Sequence, residues 1–175
     1  MIELRPVRLT DWPVVHEWGG DPEVSRFQAW GPNSEQETQE FVAGAVAAAA
    51  ESPQRRFSFV AEKSGRVCGG GEFNLRSGTS GEISYVVHPR NWRQGVGTAI
   101  ARELLRYGFG LPGIHRIYGT CDPRNVGSGK ILRGIGMSYE GRMRQVALIR
   151  DGWRDSDLYS ILRPEWDATR RADFR

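Results

Sequence analysis

Residues 85–100, Tyr-Val-Val-His-Pro-Arg-Asn-Trp-Arg-Gln-Gly-Val-Gly-Thr-Ala-Ile, constrain this chain more than any other segment. A β-branched apolar run over residues 83–87 breaks at Pro89. A basic loop punctuated by Gly95 and Gly97 follows, and an amphipathic helix then begins. A strand, a loop of free backbone N–H groups and a helix N-terminus together make an anion site. Glycines at 95 and 97 let the backbone approach a ligand with no Cβ in the way. The ligand that suits such a site is a phosphate or pyrophosphate.

The rest of the pattern sets this loop in a mixed α/β context. Residues 2–8 alternate weakly and read as an edge-like first strand. Thr10-Asp11 caps a helix through Val14, Val15 and Trp18, which Gly19-Gly20 stops. Asn33-Ser34 opens a second helix with Glu37 as the capping-box acid. Residues 57–61, 67–75 and 81–87 read as a three-strand meander, the second strand loosened by Gly69, Gly70 and Gly71. The helix over residues 96–109 has a clear apolar stripe of Val96, Ile100, Leu104 and Tyr107, with Ala101 and Leu105 beside it. Thr98, Arg102 and Arg106 form its wet face. Residues 116–121 form a strand, and a turn over residues 122–125 leads into a short helix from Val126. Two long strands flank Asp151-Gly152, a strong hairpin signal. Residues 1–163 read as one domain, and residues 164–175 as a polar C-terminal tail.

Composition excludes several function classes. The 175 residues are 39% hydrophobic and 26% charged, which fits one soluble globular domain. Charges interrupt every apolar stretch, so neither a signal peptide nor a membrane span is expected. Cys68 and Cys121 lie far apart and form no CxxC pair, and both read as reduced strand thiols of a cytoplasmic protein. The net charge of +3 comes almost wholly from scattered arginines, with no run of basic residues. That pattern suits phosphate groups of small ligands better than nucleic acid.

Three phosphate-binding loops compete for residues 92–98. A P-loop needs Gly-Lys-Ser/Thr, and Gly97-Thr98 lacks the lysine. A dinucleotide fingerprint needs a third glycine and a βαβ setting, and neither is present. The third fits. Trp92-Arg-Gln-Gly95-Val-Gly97 resembles the R/Q-x-x-G-x-G/A pyrophosphate loop of the GCN5-related N-acetyltransferases, with Trp in the first position. The His-Pro-x-x-Trp-x-x-Gly form is similar to the RimJ/RimL-type branch. The likeness continues along the chain. The opening Leu-Arg-Pro-Val-Arg-Leu-Thr-Asp-Trp looks like the branch's first strand and helix, and residues 81–87 like its fourth strand. Asn125-Val-Gly-Ser128 resembles its N-x-x-S turn, residues 136–141 its G-F-x-x-E-G with Met137 for Phe, and residues 151–162 its closing hairpin.

This resemblance implies an α+β fold: a central, mostly antiparallel twisted sheet flanked by helices and splayed between strands four and five to seat acetyl-CoA. It implies a cytoplasmic, acetyl-CoA-dependent N-acetyltransferase acting on a primary amine: a protein N-terminus, an amino-acid-like amine or an antibiotic. The amine attacks the thioester directly. A non-catalytic acyl-CoA-binding or regulatory module is the alternative. The amides of Arg93, Gln94, Gly95, Val96, Gly97 and Thr98 are expected to hold the pyrophosphate. The main chain of Tyr85, Val86 and Val87 is expected to pair with the pantetheine arm, and a backbone N–H near Val87 to polarise the thioester oxygen. Asn125 would contact the coenzyme arm, and Ser128 would protonate the departing thiolate. On the residues alone, Asn125 is also a good N-cap with Ser128 at N3. Lys130 is the preferred partner for the adenosine phosphates; a solvated surface lysine is the other reading.

No carboxylate stands on the strand where some relatives carry one, at residues 145–148. Glu72 and Glu82 are therefore the first and second candidates for the base that takes the amine proton, with Asp155 and His88 behind them. Trp30 and Trp153 either wall the acceptor cleft or cover the core edge. No metal, nucleic acid or membrane partner is expected, and a homodimer is compatible with the sequence.

Overall fold

A computed structural model describes residues 1–172 of the chain. Its elements run β1 (Ile2–Pro6), α1 (Trp12–Gly19), α2 (Pro22–Ser25), α3 (Glu35–Ala48), β2 (Arg56–Lys63), β3 (Arg66–Leu75) and β4 (Ser80–Val87). Then come α4 (Val96–Gly110), β5 (Arg116–Cys121), α5 (Val126–Gly134), β6 (Ser138–Ile149), β7 (Gly152–Leu162) and α6 (Arg163–Ala172). Seven strands make one sheet in the order β1-β2-β3-β4-β5-β7-β6. Every neighbouring pair is antiparallel except β4 and β5. That parallel pair holds only from Ser80↔Arg116 to Glu82↔Tyr118. Beyond it the two strands part, and residues 83–87 keep a partner only on the β3 side. The gap is the splay the resemblance implies.

The two faces of the sheet carry different helices, and strand alternation decides which residue looks where. On one face, α4 lays its stripe on the meander: Ile100, Ala101, Leu104 and Leu105 are fully buried against Phe73, Ile83 and Ile117. Each such leucine or isoleucine contributes about 1.5–3 kcal/mol by leaving water. On the other face, α1 and α3 pack Val15, Trp18 and Val42 against Val60 and Val86. Ser34 and Glu37 cap α3 reciprocally, with the Glu37 amide 3.2 Å from Ser34 Oγ and the Ser34 amide 2.7 Å from Glu37 Oε2.

Three expectations are corrected. The expected polar tail is helical as far as it is described. Trp166 is buried and stacks on Phe109 at 5.6 Å, and the Glu165 carboxylate accepts from the Leu162 amide. One aromatic in a charged stretch is enough to pin a helix to the core edge; the rest of the expected tail, residues 173–175, lies outside the described residues. Asp11 does not cap α1 with its side chain. Its two oxygens receive the Arg5 guanidinium, each at 2.8 Å, and one also takes the Arg8 amide. The Arg5 bonds outweigh the cost of burial and hold the Asp11 carboxyl below the usual range. The β3 glycines do not loosen that strand. A Cβ on Gly71 would sit 2.7 Å from Leu104 Cδ1, and one on Gly70 would meet the Phe59 carbonyl at 2.9 Å, so neighbours already fill the room.

Candidate active site

The loop after β4 is shaped by backbone. His88 donates its amide to the Cys68 carbonyl at 3.0 Å and so ends the β3–β4 ladder. By the alternation of an antiparallel pair, the amides of Ile83, Tyr85 and Val87 then point the other way, into the gap. The Val87 carbonyl accepts from Trp92 Nε1 at 2.8 Å. That bond explains a Trp where the general motif has Arg or Gln: the indole pins the start of the loop to the strand end. Gln94 bonds back to the Arg90 carbonyl at 2.9 Å. Gly95 is the N-cap of α4 at φ +75°, the left-handed region that favours glycine, and space above it is open. A Cβ on Gly97 would lie 2.8 Å from Ile131 Cδ1 and 3.2 Å from Val87 Cγ2. Arg93, Gln94 and Gly95 are exposed, and Thr98 is half-buried on the first turn of the helix.

Across the gap, the turn into α5 brings two expected residues together with a third. Asn125 caps α5, its Oδ1 accepting the Ser128 amide at 3.0 Å. The Tyr85 phenol lies 3.0 Å from Ser128 Oγ and 3.3 Å from the Ser128 carbonyl. Burial pushes the Tyr85 phenol well above its usual range, and the Ser128 contact offsets only part of that shift. The phenol therefore stays protonated and can donate. The sequence placed Tyr85 at the site for its main chain; that its side chain also reaches Ser128 follows from the parallel register of β4 and β5, which no local pattern reveals. Lys130 is exposed on α5, two residues after Ser128. Cys121 is a free, buried thiol whose pKa burial raises.

The candidate bases lie on the opposite face of the sheet. Tyr85 and Ile83 face α4 and α5; Glu82, Ser84 and Val86 therefore face away. Glu72 pairs across from Ser84 and shares that face. Its Oε1 accepts from Arg56 at 2.6 and 2.9 Å and from Ser58 at 2.7 Å, while among the described residues Oε2 has only Asn74 at 3.4 Å. Glu82 binds Arg76 through Oε2, with the Tyr118 hydroxyl 3.4 Å from the same oxygen. It sits at the last paired position before the strands part. Both carboxylates are therefore ion-paired. His88 is buried beyond the strand end, edge-on to Trp18 and 2.9 Å from Glu17. Its Nδ1 takes the Arg90 amide, so it tethers α1 to the loop. Asp155 accepts the Gln145 amide at 2.9 Å.

The β6–β7 hairpin and the α2–α3 loop form a third wall. Arg150 at the hairpin tip donates to the carbonyls of Ser25, Trp30 and Gly31, and Arg154 donates to the Phe27 carbonyl at 2.7 Å. Arg124 bridges buried Asp122 at 2.7 Å and Asp151 at 2.8 Å. Burial would raise the Asp122 carboxyl, but the Arg124 bonds hold it below its usual range. A cavity of about 360 Å³ opens between Asp122, Arg124, Arg142, Asp151, Trp153 and Arg154. Trp153 lines it with an exposed ring. Trp30 is also exposed, but the hairpin holds it by its carbonyl, and it is not among the cavity's lining residues. Sequence reasoning did not single out Arg124, Arg150 or Arg154 for this region. The only local signal was their position flanking the two turns.

This geometry has relatives. A family model described as the acetyltransferase (GNAT) domain matches residues 2–138. The chain belongs to the GNAT family. It is 28% identical over 165 residues to the uncharacterized N-acetyltransferase YnaD of Bacillus subtilis (strain 168), covering 94% of this chain and 95% of that one. Its fold superposes on a GNAT-family acetyltransferase from Bacillus anthracis with a TM-score of 0.79 at 27% identity, over 92% of this chain and 94% of the other. It also superposes on RimL, a ribosomal L7/L12 alpha-N-protein acetyltransferase in complex with coenzyme A. There the TM-score is 0.80 at 18% identity, over 92% and 93% of the two chains. The protein is thus an acetyltransferase, and its acyl donor is acetyl-CoA. The chain's own residues fit that donor. The positive-φ cap at Gly95, with open space above it, and the strand edge left unpaired at residues 83–87 leave backbone amides free for an extended anionic ligand.

Proposed function

We propose that this GNAT enzyme, of the RimJ/RimL-type branch, acetylates a primary amine of a small molecule or peptide by direct attack, with no acyl-enzyme. One observation carries the reading: the β4–β5 gap separates a proton donor on one face of the sheet from carboxylates on the other. A donor molecule threaded through the gap meets both.

When bound, acetyl-CoA supplies an activated thioester. Amides of residues 93–98 hold its pyrophosphate at the N-terminus of α4. The Tyr85 and Val87 amides pair with the pantetheine arm as an added strand would, and the Val87 N–H polarises the carbonyl. Asn125 steadies the arm through its free amide nitrogen while its oxygen caps α5. Ser128 Oγ gives its proton to the leaving sulfur, with the Tyr85 hydroxyl holding it in place. On the acceptor face, Glu72 takes the amine proton at Oε2, the oxygen its ion pair leaves nearly free. Glu82 is the second choice, because its Oε2 already serves Arg76 and Tyr118. Lys130 meets the adenosine phosphates. Trp153 walls the acceptor side.

Thiol release from acetyl-CoA, followed across primary amines, amino acids and short peptides, tests the reading. Release that requires an amine and matches N-acetyl product one for one is the expected result. Release without product, or none with any amine class, counts against it.

A further inference from the structure

Arg154 stands out among the charged groups around the hairpin cavity. Arg124 spends its charge on Asp122 and Asp151, and Arg142 spends its own on Asp157 at 2.8 Å. Arg154 lines the same cavity but lies within ion-pair distance of no carboxylate among the described residues. Among the described residues its only bond is from Nη1 to the neutral Phe27 carbonyl, and its buried Nε–H has no partner. Two residues along the same strand, and on the same face, Ser156 Oγ is also buried without a partner among the described residues, in a residue only 1% exposed. Buried donors without acceptors are rare because each costs on the order of 1–3 kcal/mol. Arg154 lines the cavity itself, and Ser156 lies behind it, outside the lining residues.

The position matters as much as the chemistry. Asp122, on the cavity wall, takes the Asn125 amide on its carbonyl at 2.8 Å, and Asn125 caps the turn that presents Ser128. The cavity therefore lies one turn of chain from the expected site of thiol departure. Of the carboxylates near the cavity, Asp122 and Asp151 are committed to Arg124, Glu72 to Arg56 and Glu82 to Arg76, while Asp155, which also lines it, accepts the Gln145 amide at 2.9 Å and makes no ion pair among the described residues.

We infer that Arg154 binds an oxyanion of the acceptor, so the amine this enzyme acetylates carries a carboxylate or phosphate a few bonds away. The inference rests on the acetyltransferase reading above and adds the substrate class to it.

The test uses matched pairs of probes on the full chain with coenzyme A bound: L-phenylalanine against 2-phenylethylamine, O-phosphoethanolamine against ethanolamine, and spermidine. Calorimetric binding is measured first, then acetylation with acetyl-CoA. The oxyanion-bearing member of at least one pair is expected to bind about 10- to 100-fold tighter, the range for a hydrogen bond to a charged group. The carboxylate and phosphate pairs separate the two sources of oxyanion. Arg154→Gln should erase the preference through the acceptor KM, while Arg154→Lys retains part of it. Coenzyme affinity should be unchanged in both variants, which also shows that they fold. Equal binding within both pairs, tighter binding of spermidine, no binding by any oxyanion probe, or a preference untouched by Arg154→Gln would each overturn the inference. Acetylation without oxyanion preference sinks this inference alone. Oxyanion binding with no amine acetylated sinks the direct-transfer reading instead.

Discussion

On the proposed coenzyme side, seven consecutive residues, 92–98, form a loop whose backbone amides and glycines are the proposed binding groups. On the hairpin side, Arg150 reaches the Ser25 carbonyl across 125 positions of sequence, and Arg154 reaches Phe27 across 127. The first site is local and made of main chain, so its shape is written in spacing and glycine content. The second exists only once two distant segments meet, and its chemistry lies in long side chains. A site of the first kind tolerates most substitutions except those that add atoms where a ligand passes. A site of the second kind responds to charge and reach.

The largest expected effect breaks the local site. Gly97→Asp forces side-chain atoms and a negative charge into the buried contact with Ile131 and Val87 behind the loop, which displaces the first turn of α4 and its amides. Coenzyme affinity should fall by about 1,000-fold or more, on the order of 4 kcal/mol, measured by calorimetry. Affinity within a few-fold of wild type would refute the loop assignment. Next, Ser128→Ala should lower kcat by about 100-fold, the scale of one proton-transfer group, and leave coenzyme affinity nearly unchanged. Unchanged turnover would leave Ser128 with only its place in the α5 cap.

The assembled site should respond differently. Arg150→Ala cuts the hairpin tip loose from the Ser25 carbonyl at the end of α2 and from the Trp30 and Gly31 carbonyls of the α2–α3 loop. The acceptor KM should rise by about 10-fold with coenzyme affinity constant, given the strength of charged hydrogen bonds. A matching loss of coenzyme affinity would show that the two regions are not independent.

The fold was legible where a local pattern answered to local physics. The capping box at Ser34, the α4 stripe, the meander and the Asp151-Gly152 hairpin all match the strands and helices seen. Trp166 was missed because one aromatic among charged neighbours has no period. Asp11 misled because its partner, Arg5, is brought near only when the chain turns after β1. Gly70 and Gly71 suggested looseness, yet the close approach of α4 and β2 demands small residues there. At the site, the glycine loop and the Asn125–Ser128 turn could be read directly. The Tyr85–Ser128 contact and the ion pairs of Glu72 and Glu82 depend on register across strands and could not.

The smallest effect concerns the strand where β6 leaves α5. The Glu140 carboxyl sits at about 2, held down first by the Arg116 guanidinium and then by Ser160. Its ordinary value in an unfolded chain is about 4.3. A depressed folded value means the stabilisation is complete above about pH 4.3 and is lost as pH falls toward 2. The group is partly exposed, so solvent screening keeps the effect small. Glu140→Gln should flatten the fall of the urea midpoint between about pH 5 and pH 2. An identical acid slope in wild type and variant would remove Glu140 from the acid response.

The most direct test of the two-sided site is a pre-steady-state comparison on one acetylated amine. Wild type and the Ser128→Ala and Glu72→Gln variants are followed for thiol release and N-acetyl product, with coenzyme affinity measured in parallel. Both variants should bind coenzyme as wild type does. Both should lose the transfer step, and Glu72→Gln should recover rate as pH rises toward the amine's own pKa. Full transfer in both variants would contradict a proton donor and a proton acceptor facing each other across the β4–β5 gap.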